Sequence, residues 1–106
     1  MIMTEITSES SIQVKIRFFS SIRSITGIDQ IEIPVKKGDT LLSVLQQIEK
    51  KYFTPKNAQL LEETINKLTV GTLCLIDDAD ISLSGGLKQK INTSVTITLI
   101  SSIHGG

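Results

Sequence analysis

The stretch IQVKIRFFSSIRSITG, Ile12 to Gly27, decides the fold. Its first half alternates strictly. Ile12, Val14, Ile16 and Phe18 fall on one face, and Gln13, Lys15, Arg17 and Phe19 on the other. A side-chain period of two belongs to a strand with one buried face, so Ile12 to Phe19 is predicted to be half-buried strand. Phe19 is the odd member, apolar on the polar face. It either caps the strand end or forms part of a docking patch. Ser20 to Thr26 reads as a connector with a helical turn, ended by Gly27. Ile31, Ile33 and Val35 then alternate with Glu32 and Pro34 and give a second strand. Pro34 has no N–H to donate, which assigns that strand to a sheet edge or a strand end. The two strands should pair as an antiparallel hairpin.

Past this hairpin, Lys36-Lys37-Gly38 is a turn, and Asp39 or Thr40 can cap the helix that follows. Leu41, Leu45, Ile48 and Tyr52, with Val44 nearby, recur at helical spacing opposite Gln46, Gln47, Glu49 and Lys50. This predicts a helix from Leu41 to Lys51 or Tyr52, with Lys50 and Lys51 suited to its C-terminal end. Its apolar stripe should lie across the sheet. Thr54 and Pro55 interrupt. Asn57 to Lys67 holds good helix formers and apolar Leu60, Leu61 and Ile65, with Leu68 just beyond, and reads as a second, shorter helix. Thr72 to Ile76 is an apolar run of strand length. Ile81 to Leu83 reads as a short strand, Gly85-Gly86 as a turn, and Val95 to Ile100 as a final strand in which Val95, Ile97 and Leu99 alternate with Thr96, Thr98 and Ile100. Strands, one main helix and further strands pack most simply as an α+β domain, a mixed sheet covered by the helix.

Composition narrows the function. With 106 residues there is room for one domain and not for two. Eleven basic residues balance eleven acidic ones, so the basic footprint of a nucleic-acid binder is missing. One cysteine allows no intrachain disulfide and no cysteine-only metal site. Cys74 lies in an apolar run and reads as core before nucleophile. Asp77, Asp78 and Asp80 lack the Gly and distant Glu of a calcium loop and read as an acidic turn. Gly85-Gly86 lacks the surrounding pattern of a phosphate-binding loop. No apolar run reaches membrane-spanning length, and the start lacks a signal-peptide pattern, so the expected location is cytoplasmic. Residues 1–11 are polar and read as a mobile lead-in, residues 12–101 as the domain, and residues 102–106 as a tail.

The tail ends in Ser102-Ile103-His104-Gly105-Gly106. Two residues without Cβ can lie extended in a channel too narrow for side chains. Fully extended, the five residues reach roughly 16–18 Å, enough to carry a carboxylate at Gly106 into a distant site. A frayed terminus is the alternative. His104, a lone histidine, is a polar tail residue before it is a base.

Three stretches carry a family resemblance: VKIRFFSSIRSITG, KKGDTLLSVLQQI, and CLIDDADI together with the ending LISSIHGG. They resemble the β-grasp, ubiquitin-like sulfur carriers, namely MoaD, ThiS and the ubiquitin-related modifiers, with the ending most similar to the ubiquitin-related modifier branch. Two features depart from the MoaD pattern. Ser101 and Ser102 stand where prolines are common, and Asn92-Thr93-Ser94 stands where a Gly-Asp turn is common.

The resemblance implies an ATP-using E1-like enzyme that adenylates Gly106 and a sulfurtransferase that yields a thiocarboxylate. The sulfur would go to tRNA or a molybdopterin precursor, with transfer of the activated carboxyl to target-protein lysines a further outcome. In this role Gly105 gives a slender approach, and His104 and Ile103 line the tail. The chain would be a carrier and not an enzyme, with no permanently bound cofactor and no direct contact with nucleic acid or membrane. A MoaD-type subunit bound to the large subunit of molybdopterin synthase is the second reading, and a β-grasp interaction module with an incidental tail the third. The resemblance also implies that the first and last strands are neighbours. Strand parity then puts Phe19 and Ile100 side by side on the face opposite the helix, as a docking patch to which Arg23 adds. Ordinary partial burial at a sheet edge is the alternative. An iron–sulfur version of the fold is excluded, because one cysteine cannot supply the usual four ligands.

Overall fold

The computed structural model describes residues 11–62, 64 and 67–101. The alternating stretch forms strand β1, Ser11–Phe19, with Val14, Ile16 and Phe18 buried. Of the polar lead-in, residues 1–10 lie outside the described residues, and Ser11 opens β1 opposite Lys36. The connector is helix α1, Ser20–Thr26. It stops at Gly27, whose φ of 79° is the left-handed conformation that favours glycine and whose N–H donates to the Arg23 carbonyl. Strand β2, Gln30–Lys36, returns antiparallel to β1, with Gln13 opposite Pro34. It forms one edge of the sheet, where the missing N–H of Pro34 leaves no central ladder broken.

Thr40, not Asp39, caps the main helix: its hydroxyl oxygen accepts from the Ser43 N–H at 3.1 Å. Helix α2 is α-helical over Leu41–Ile48 and then widens into a π turn over Glu49–Phe53. A π turn closes i to i+5 bonds, so the residue returning beneath Ile48 is Phe53, and both are buried. Tyr52, one residue earlier, is half-buried with its ring 6.1 Å from that of Phe18.

The helix expected over Asn57 to Lys67 is not formed. A 3-10 turn, Thr54–Lys56, ends at Asn57 in the left-handed conformation. The described residues then form a two-stranded ribbon, β3 (Leu61–Glu62) against β4 (Lys67–Leu68). The cause is tertiary. One Glu49 carboxylate oxygen accepts from the N–H groups of Leu60 and Leu61, at 2.8 and 2.9 Å, and the Leu60 carbonyl accepts from Thr69. These bonds fix an extended segment that buries both leucines.

Strand β5, Thr72–Ile76, turns through Asp77-Asp78 into the short strand β6, Ala79–Asp80. Asp80 thus lies in the strand beyond the acidic turn. The strand expected over Ile81 to Leu83 is a 3-10 turn instead. Its cause is local: the Asp80 side chain accepts from the Ser82 N–H at 2.8 Å and takes the donor a ladder would need. A second 3-10 turn covers Gly86–Lys88. The last strand, β7, runs Thr96–Ser101, one residue later than the alternation suggested. Val95 stands before it and accepts from the Lys15 N–H.

The sheet has five strands in the order β2-β1-β7-β5-β6. β7 lies between β1, to which it is parallel, and β5, to which it is antiparallel. Leu41, Val44, Leu45 and Ile48 of α2 join Val14, Ile16, Phe18, Val35, Cys74, Ile97 and Leu99 of the sheet in one buried cluster. Each such aliphatic side chain contributes roughly 1.5–3 kcal/mol when fully buried, so this layer fixes which face of the sheet looks outward.

Candidate docking face

The pairing of β1, β7 and β5 sets the outer face. Register partners project to the same side of a sheet. Phe19 pairs with Ile100, and Ile100 pairs with Leu73. One apolar row therefore crosses three adjacent strands on the side away from α2. Phe19 is 37% and Leu73 41% exposed, and Ile100 is half-buried between them. Phe19 and Leu73 are the two exposed large apolar side chains among the described residues of the sheet, and the row joins them through Ile100.

Leu73 is absent from the sequence reading. Thr72 to Ile76 reads as an apolar run of strand length with no alternation to sort its faces, although counting parity from a buried Cys74 turns Leu73 outward. Arg17 is the second omission. Its guanidinium lies over the Phe19 ring, 4.8 Å from the centroid, and its own register partners, Gln30 and Thr98, are uncharged. Arg23 projects from α1, with a guanidinium nitrogen 3.4 Å from an Asp29 carboxylate oxygen and both side chains largely exposed. Arg17, Phe19 and Arg23 line a cleft of about 440 Å³ at the end of β1. The structure thus brings Phe19 and Ile100 into direct register and sets Arg23 in a cleft with Phe19. Ile103, His104, Gly105 and Gly106 lie outside the described residues. β7, the strand that holds Ile100, is the one from which the chain continues toward them.

Other chemically capable groups are sequestered or structural. Burial pushes the Cys74 thiol up to about 12, with the nearby Asp80 charge adding to the effect. A thiol held neutral in this way is no nucleophile at ordinary pH. The Asp80 carboxyl is held below its usual range by the backbone and side-chain bonds it makes with Ser82. Among the described residues, no group of three or more His, Cys, Asp or Glu side chains could hold a metal ion, and no helix is long and apolar enough to cross a membrane.

Residues 13–106 match the family model for Urm1, the ubiquitin related modifier. A ubiquitin-related modifier 1 homologue of Dictyostelium discoideum is 33% identical over 78 residues, covering 74% of this chain and 73% of the relative. Small archaeal modifier protein 1 of Methanosarcina acetivorans superposes with a TM-score of 0.71 at 23% identity, over 91% of this chain and 98% of its own. A chain of the Amycolatopsis orientalis BexX/CysO complex superposes with a TM-score of 0.65 at 26% identity, over 88% of this chain and 99% of its own. With a mixed β-grasp sheet packed on one main helix, and a family match from Gln13 to Gly106, the chain belongs to the ubiquitin-related modifier family of ubiquitin-like sulfur carriers.

Proposed function

We propose that this chain is a cytoplasmic sulfur carrier and protein modifier that reacts at Gly106. A carboxylate is a poor electrophile. An E1-like enzyme overcomes this by joining the Gly106 carboxylate to the AMP portion of ATP, with pyrophosphate leaving. The persulfide of a sulfurtransferase then attacks the acyl carbon and AMP leaves. Cleavage of the resulting acyl disulfide by a thiol yields the thiocarboxylate and a disulfide. That sulfur serves tRNA thiolation or molybdopterin synthesis, and transfer of the activated carboxyl to a lysine amine is a further outlet. Gly105 lets the chain end enter a narrow channel, and His104 and Ile103 line the approach. The domain supplies docking, and the partner enzymes supply the catalytic groups and use the ATP.

One observation carries the docking part of this reading. Phe19, Ile100 and Leu73 form an apolar row across three adjacent strands, and the middle strand leads to the tail. A partner that covers the row holds the tail at a fixed distance from its own active site. Interfaces concentrate their energy in a few such central apolar residues, so Phe19→Asp or Leu73→Asp should raise the KM for activation by about tenfold or more.

The test is incubation with the E1-like enzyme of the same organism, ATP and a sulfur donor, followed by intact-mass analysis. The expected product carries sulfur in place of one carboxyl oxygen, and deletion of Gly105 and Gly106 abolishes it. If an enzyme shown to be active on another carrier yields no adenylate, thiocarboxylate or conjugate, the proposal is wrong. Co-purification with a molybdopterin synthase large subunit would identify the sulfur acceptor, whereas lysine-linked adducts would identify the modifier outlet.

A further inference from the structure

We propose that the cleft beside the apolar row selects a partner surface bearing carboxylates, and that Asp29 occupies Arg23 until such a surface arrives. The inference rests on the reading that an activating enzyme covers the row, and it specifies the charge that enzyme must present.

The cleft of about 440 Å³ is lined by Arg17, Phe19, Ser20, Arg23, Asp29 and Gln30, among others. Guanidinium groups are donors only, so two of them on one cleft call for an acceptor-rich occupant. Asp29 is the sole carboxylate among these six residues, and it serves Arg23 poorly. Its oxygen lies 3.4 Å from one guanidinium nitrogen, longer than the usual ~2.7–2.9 Å of a charge-assisted bond. The two side chains are 62% and 78% exposed. A pair this open adds little to stability, and a better-placed carboxylate can replace it. Arg17 has no carboxylate at ion-pair distance among the described residues, and its stacking on Phe19 already fixes its position. The backbone between the two arginines is constrained as well. Ser20, at the junction of β1 and α1, has a φ of 58°, a left-handed conformation unusual for serine.

The identity of the occupant follows from what borders the cleft. Phe19 belongs to both the cleft and the apolar row, so whatever seats on one touches the other. A nucleic-acid backbone would satisfy the arginines but leave the row uncovered. The chain's formal net charge is zero, so the cationic character is local. A protein surface with an apolar contact flanked by one or two Asp or Glu side chains satisfies both halves together.

The experiment measures affinity between the full chain and the purified E1-like enzyme of the same organism by titration calorimetry, at low and high salt. Arg17→Gln and Arg23→Gln should each weaken binding by about tenfold at low salt, within the range of interfacial charge pairs. The loss should shrink at high salt, because the Debye length falls from about 10 Å at 0.1 M to about 3 Å at 1 M. Asp29→Asn, which frees Arg23, should tighten binding a few-fold. Lys56→Gln, a comparable loss of positive charge outside the cleft, should do neither. Circular dichroism establishes that each variant is folded, and the salt dependence of the unaltered chain tests the idea without any substitution.

If the arginine variants and Asp29→Asn leave affinity unchanged while Phe19→Asp lowers it, this inference fails and docking on the row stands. If Phe19→Asp also has no effect, docking on this face fails and the inference with it. If a parallel titration with tRNA shows the arginine variants losing affinity for tRNA and not for the enzyme, the cleft belongs to a different class of partner and the proposal is overturned.

Discussion

At the residue scale, two side chains, one buried and one half-buried, show how a single group governs the molecule. Cys74 is enclosed beneath the sheet, and its thiol is pushed from an ordinary value of 9.0 up to about 12. Below about pH 9 the thiol is neutral in both folded and unfolded chains and has no effect on the pH dependence of stability. Above that pH the unfolded chain releases a proton that the folded chain keeps, so alkali favours unfolding until the folded thiol itself ionises. Relative to Cys74→Val, the natural chain should lose about 2 kcal/mol by about pH 10.5, read from urea midpoints compared with those near pH 8. The folded protein should also resist thiol reagents that react once it unfolds. Glu49 plays the opposite part, as an acceptor for two backbone donors from a distant segment. Glu49→Ala strands the N–H groups of Leu60 and Leu61 and should cost about 2–4 kcal/mol in urea unfolding. Glu49→Gln keeps an oxygen acceptor and should cost less.

At the element scale, the β5–β6 hairpin turns on two consecutive non-glycine residues at positive φ and is open to improvement. Its two-residue turn places Asp77 at a φ of 48° and Asp78 at 73°. Hairpin turns of this kind favour glycine at the second position. Asp78→Gly should therefore stabilise the protein by about 0.5–1 kcal/mol in urea unfolding. Asp77→Gly should destabilise it by about 1 kcal/mol, because the Asp77 side chain accepts from the Thr96 N–H at 3.0 Å and ties the turn to the start of β7. The elements also show what a sequence reveals. β1, β2 and the start of α2 are legible because their alternation, edge proline and cap are written in neighbouring residues. The ribbon after α2 is not, since Glu49 chooses it from eleven residues away. The turn at Ile81 is hidden for a different reason: one Asp80 side chain outweighs a strand-like composition. The outer face divides the same way. Phe19 stands out by parity along its own strand, whereas Leu73 joins it only through the pairing of β5 with β7, and Arg17 only through its stacking on Phe19.

At the scale of the whole molecule, the first strand and the last described strand form the parallel centre of the sheet, with hairpins on either side. Their hydrogen bonds join segments some eighty residues apart, and evenly spaced bonds of a parallel pair lie across the line joining Ser11 to Ser101. A tug applied to those two residues would load the bonds together, in shear. Ser11 and Lys36, by contrast, face each other at the open end of the β1–β2 hairpin, where a tug would part the ladder one rung at a time. In an optical trap the first geometry should rupture at a distinctly higher force than the second. In the proposed role, the strand that leads toward the tail is thus also braced in shear against being hauled out, so a motor that grips the chain past Ser101 loads the β1–β7 pairing along its length.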